Sequence, residues 1–157
     1  MSLESFARDH IARQLPGAIH KGFMDAWLEI RWAELQEHFE EAPDGKNPWS
    51  KADFFDYHRA YKPPFRADLY YIDADEHMLY FFEIEDTHPL SEEKLWKIQD
   101  WFDTTGSCDG WYGRLIVTDR YGRNPRMIFA YEHTFGPEPV KDEEIEHKFP
   151  KQFQPLD

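Results

Sequence analysis

The sequence predicts an α/β fold, a mixed central sheet of about four strands flanked by helices, and three observations carry that prediction. Apolar residues recur at helical spacing in two N-terminal stretches and again after Ser91. β-prone runs occupy 68–73, 78–86, 111–118 and 127–131. A short polar connection joins the first two runs, and a helix-length segment joins the second to the third. That order is a hairpin followed by a crossover, which gives an antiparallel pair and then a parallel one.

With 157 residues, the chain is expected to be one domain over 1–136, followed by an extended, acidic, Pro-containing tail over 137–157. The hydrophobic fraction of 41% and aromatic fraction of 17% exclude a disordered chain. No apolar run is long enough for a bilayer and no signal-peptide pattern opens the sequence, so a cytoplasmic protein without membrane contact is expected. The single cysteine, Cys108, excludes an internal disulfide and a cysteine-based zinc site. The net charge of −13, from 18 basic and 31 acidic residues, opposes nucleic-acid binding unless the basic residues cluster locally. It equally fits a chain that binds a basic protein.

In chain order, Leu3, Phe6, Ala7, Ile11 and Leu15 mark a first helix that Pro16-Gly17 ends. A longer helix is expected from about Lys21 to Glu41, with an apolar stripe of Phe23, Trp27, Ile30 and Leu35 interrupted by Trp32 and Phe39. Its other face carries Glu29, Glu34, Glu37, Glu40 and Glu41, most of them solvated. Pro43 to Pro48 breaks it. Ser50 is a candidate cap, with Asp53 at the third helical position of a short helix. The aromatics from Trp49 to Phe65 read mainly as core or cleft wall, with base stacking as the alternative.

Asp68–Asp73 and Met78–Asp86 follow as strands around the turn Ala74–His77. Ser91 is the expected cap of the next helix, with Leu90 and Leu95 as a hydrophobic staple. Leu95, Ile98, Trp101 and Phe102 form its buried stripe, and Thr105-Gly106 its end. Trp111–Thr118 and Met127–Tyr131 complete the sheet around a turn at 119–125.

The informative stretch is Met78–Asp86, where acids sit inside an aromatic strand. Alternation puts Glu83 and Glu85 on one face and Phe82 and Ile84 on the other. Two neighbouring carboxylates on the inner part of a sheet repel and lose hydration, penalties that a cation relieves. Asp68 opens the partner strand, 15 residues before Glu83 in sequence, and the hairpin can bring the two onto one face. Two carboxylates with a neighbouring carbonyl suit Mg²⁺ or Mn²⁺. The plainer readings are a strand-start acid at Asp68 and solvent-facing acids at Glu83 and Glu85. His88, just beyond the strand, reads first as a loop histidine.

On these residues the chain resembles the PD-(D/E)xK nuclease superfamily over roughly residues 21–131. Ala67-Asp68 stands for Pro-Asp, and Glu83-Ile84-Glu85 for Glu-x-Lys. The resemblance implies a restriction-endonuclease-like αβββαβ-type core, with Asp68 and Glu83 as ligands of Mg²⁺ or Mn²⁺. Glu85 stands where the family lysine belongs. Some members carry Glu there and remain active, others have the lysine on the following helix, and in others the site has decayed. Lys94 and Lys97 are the lysines available on that helix. Catalytic roles are thus expected for Asp68, Glu83, Glu85 and Lys94, with Glu85 as a third ligand or a positioner of water. Arg114, Arg120, Arg123 and Arg126 fall within 13 residues containing one acid, Asp119, and Arg120, Arg123 and Arg126 are the expected phosphate-binding residues.

The leading expectation is a Mg²⁺-dependent nuclease of DNA or RNA in a phage or mobile-element context, with a small-phosphate hydrolase sharing the same metal argument. The alternative is an inactive nuclease-fold protein that binds nucleic acid or a basic protein. A homodimer is a further expectation.

Overall fold

The computed structural model of the chain describes residues 3–86, 88–102 and 111–131. The described residues fall into two compact units, one within Met1–His20 and Pro63–Asp157 and the other Lys21–Lys62. Among the described residues the fold is mixed α/β, with four helices and one four-stranded mixed sheet.

The smaller unit is a helix pair, α2 (Phe23–Glu40) and α3 (Lys51–Arg59). Gly22 enters α2 at φ 80°, a left-handed conformation that favours glycine. Ser50 caps α3 by accepting from the Asp53 N–H, as the sequence predicts. Leu28, Phe54 and Phe55 form the core of the pair, with Met24, Trp32 and Leu35 packed against it. The expected stripe is thereby corrected: Leu28 is fully buried where Ile30 was expected, and Trp32 belongs to the core. The ring of Trp32 reaches Phe54 at 5.4 Å, a contact that depends on where α3 sits.

The larger unit holds α1 (Leu3–Gln14), β1 (Leu69–Asp73), β2 (Met78–Ile84), α4 (Glu92–Trp101), β3 (Tyr112–Thr118) and β4 (Arg126–Tyr131). The strands lie in the order β1-β2-β3-β4. β1 and β2 are an antiparallel hairpin, with Leu69 opposite Phe82 and Asp73 opposite Met78. β2 and β3 are parallel, with Met78 opposite Tyr112 and Ile84 opposite Thr118. β4 returns antiparallel to β3, with a bulge between Leu115 and Ile116.

The sheet has helices on both faces because its strands are apolar on both. On one face, Leu69, Tyr80, Phe82 and Ile116 meet Ile11 and Leu15 of α1. On the other, Phe81 stacks on Trp101 at 5.7 Å and meets Phe102 at 4.8 Å. Gly113 is required there, because a Cβ would lie 2.3 Å from the Phe102 ring.

Ser91 caps α4 by accepting from the Lys94 N–H. The ordered helix closes at Trp101, and the expected end at Thr105-Gly106 lies outside the described residues. So do Cys108 and the expected tail over 137–157. No helix among the described residues is long and apolar enough to cross a membrane.

Candidate functional site

The site is built where β1 begins and β2 ends. Asp68 precedes β1, and its N–H donates to the Phe82 carbonyl at 3.0 Å. Beyond the last paired residues, Leu69 and Phe82, a side-chain hydrogen bond joins Asp68 to Glu83. Asp68 Oδ2 accepts from the Ile84 N–H at 2.7 Å, which fixes that carboxylate against the end of β2.

Glu83 alternates with Phe82, so it shares the α4 face with Phe81. It is 4% exposed, an unusual state for a carboxylate. Burial pushes its carboxyl up to about 8, and a hydrogen bond with Asp68 pushes the same way. Lys94 pulls in the opposite direction. Glu83 therefore keeps its proton to a higher pH than an ordinary carboxyl does.

Lys94 is the third member. The Ser91 cap places it in the first turn of α4, and its side chain runs back to Glu83, with Nζ 2.5 Å from Oε1. The contact is an ion pair by distance, and Oε1 accepts no well-directed hydrogen bond. Lys97 instead pairs with Glu93 at 3.2 Å on the helix surface. Of the two candidate lysines, the fold brings Lys94 to the carboxylates.

Glu85 is brought to the same end of the sheet but is engaged elsewhere. Its Oε2 accepts from the Leu90 N–H at 3.0 Å, and its Oε1 pairs with Arg126. Among the described residues no group of three or more His, Cys, Asp or Glu side chains converges as a metal cage. The carboxylates that meet are the pair Asp68 and Glu83.

The arginines divide. Arg114 is buried at 5% exposure opposite Tyr80, with Nη1 donating to the Gly113 carbonyl. Arg126 reaches Glu85, because the β4 bulge sets it opposite Val117 and so on the Glu83 face. Arg120 and Arg123 are exposed on the β3–β4 turn. His88 is exposed.

Two neighbours carry no signal in the sequence. Ile19 bridges to Tyr70 along the outer edge of β1, which sets a His20 ring nitrogen 3.2 Å from the Asp68 carbonyl. Tyr70 accepts from the Ala67 N–H at 2.9 Å, and burial pushes its hydroxyl up. Both depend on how the chain folds around Asp68, and periodicity does not record that.

Chemically, the arrangement is a buried carboxyl against a second carboxyl, with a lysine ammonium in contact and a backbone N–H bracing Asp68. The raised carboxyl of Glu83 can take up or release a proton. No protein-family model, curated protein or solved structure matches the chain.

Proposed function

We propose that this protein is a small metal-dependent nuclease with a restriction-endonuclease-like core, hydrolysing phosphodiester bonds of DNA or RNA. The observation that carries the reading is the meeting of Asp68, Glu83 and Lys94 at the open end of the β1–β2 hairpin. The hairpin, the α4 crossover and the parallel β3 support it, since they follow the order of elements that the motif residues imply.

The residues fit a cation. Glu83 is nine-tenths buried and lies against a second carboxylate, and its Oε1 already meets one cation, the Lys94 ammonium. Asp68 and Glu83 would hold Mg²⁺ or Mn²⁺, which when bound neutralises phosphate charge and lowers the pKa of a water. The chain's own groups do the rest. The Ile84 N–H orients the Asp68 carboxylate. Glu83, which burial keeps protonated to higher pH, would release that proton to solvent when the cation binds. Lys94 then faces a fully ionised pair, and its ammonium is the group available to developing negative charge on the phosphate. Glu85 anchors the start of α4 through Leu90, which keeps Lys94 over Glu83.

The test is digestion of single- and double-stranded DNA and RNA with Mg²⁺ or Mn²⁺. Cleavage by the wild type that is lost in Glu83→Ala is expected. No cutting by the wild type, or equal cutting by the variant, overturns the reading.

A second reading, an inactive nuclease fold that binds a partner, is favoured by internal compensation of charge: Lys94 neutralises Glu83, and Arg126 neutralises Glu85. Bound metal raises the melting temperature by mass action. A melting temperature indifferent to millimolar Mg²⁺, together with capture of a basic protein, selects this second reading.

A further inference from the structure

The β3–β4 turn and α1 make a basic, aromatic strip that the nuclease reading does not use. Gly122 in the turn has φ 76°, and a Cβ there would stand 2.6 Å from the Ala7 carbonyl oxygen. The turn therefore sits directly on α1. Ala7, Ile11 and Leu15 are the buried side of that helix. Phe6, His10 and Arg13 follow one another at intervals of four and three along one flank. His10 on that flank lies near the turn, within reach of the charges of Arg123 and Asp119.

Asp119, the turn's one acid, is occupied in building it. Its carboxylate accepts from the Tyr121 and Arg123 N–H groups and from the Asn124 side chain. Arg120, Tyr121 and Arg123 are left at the surface. The Arg120 guanidinium lies 4.9 Å from the Tyr121 ring centroid. Phe6 and Tyr121 are 39% and 41% exposed, large apolar rings set among cations. Cations that track a backbone beside rings that accept bases are how single strands are held without sequence preference. Position agrees with this. The turn leaves β3 at Thr118, which lies opposite Ile84, so the strip begins at the carboxylate end of the sheet.

We propose that Arg13, Arg120 and Arg123, with Tyr121 and Phe6, form a docking strip for single-stranded nucleic acid on the α1 face, at the end of the sheet whose other face carries Glu83. The strip rests on the nuclease reading for its purpose but not for its binding. In a chain of net charge −13 it is the local clustering of arginine that makes phosphate binding feasible.

The experiment is fluorescence anisotropy of a labelled oligothymidylate of about 12 nucleotides, titrated with the full chain in EDTA over a salt series. The wild type is expected to bind with a steep salt dependence. Arg120→Gln with Arg123→Gln should flatten the log–log salt slope by about 1.4, roughly 0.7 per phosphate contact. Arg120→Lys with Arg123→Lys should keep the slope. Tyr121→Ala should weaken binding about tenfold and leave the slope unchanged. Absence of binding, slopes unaffected by the glutamines, or binding to phosphatidylserine vesicles in place of the oligonucleotide overturns the strip. EDTA separates the two readings: binding without later Mg²⁺-dependent cutting supports the strip and removes the nuclease, and cutting with unaltered slopes does the reverse.

Discussion

Lys94 and Glu83 are joined across the crossover, the ammonium of α4 lying 2.5 Å from a carboxylate oxygen at the end of β2. A cation in the first turn of a helix opposes the helix dipole. Here the buried carboxylate offsets that penalty, and the Ser91 cap fixes the turn from which the lysine reaches. Lys97 is one helical turn away and belongs to the surface.

The two lysines should therefore separate in kinetics. Lys94→Ala is expected to lower Mg²⁺-dependent cleavage by about 10²–10³-fold, the scale of losing one group aimed at transition-state charge. Lys97→Ala is expected to stay within about twofold, since exposed pairs contribute little. Single-turnover rates on one oligonucleotide check both, and equal losses would remove Lys94 from its role.

Stability should depend on pH through Glu83. Its carboxyl is raised from 4.5 to about 8, first by burial and then by the Asp68 hydrogen bond. The folded state thus holds the proton more tightly than the unfolded one. The stabilising contribution is complete below about pH 4.5 and is lost as pH rises to about 8, with a slope up to about 1.4 kcal/mol per pH unit. Glu83→Gln mimics the protonated form and should remove that slope. Urea unfolding of both proteins in EDTA, from about pH 5 to about pH 9, makes the comparison. Parallel curves would show that Glu83 does not titrate in this window.

A lysine at position 85 should not raise activity. Glu85→Lys removes the acceptor of the Leu90 N–H and sets a second cation beside Arg126. A loss of about 1–3 kcal/mol is expected, from the unmade hydrogen bond to a charged acceptor. Arg126→Ala should cost less than about 1 kcal/mol, because that side chain is 61% exposed. Chemical denaturation measures both, and a Glu85→Lys protein that is stable and faster than wild type would contradict the assignment.

Gly113→Ala tests the packing that carries α4. The new methyl would enter the Phe102 ring, which is fully buried and has no open side. Overpacking of this kind is expected to cost about 1–3 kcal/mol. A melting temperature unchanged from wild type would mean that the helix shifts freely on the sheet.

The sequence by itself determined the local elements. Ser50 and Ser91 are read as caps because a capping hydroxyl bonds a backbone N–H three residues away. The four strands, the hairpin and the parallel crossover follow from alternation and connection length. The expectation that the hairpin can bring Asp68 and Glu83 together near one end agrees with their side-chain hydrogen bond. Tertiary structure decided what depends on distant parts of the chain. The seating of α4 chose Lys94 over Lys97. The β4 bulge turned Arg126 to Glu85, which draws that carboxylate away from the Asp68–Glu83 pair. Burial took Arg114 out of the surface cluster, and the edge bridge at Ile19 brought His20 to Asp68. A residue's spacing records its neighbours along one element, whereas the partner of a long side chain is set by the register and packing between elements.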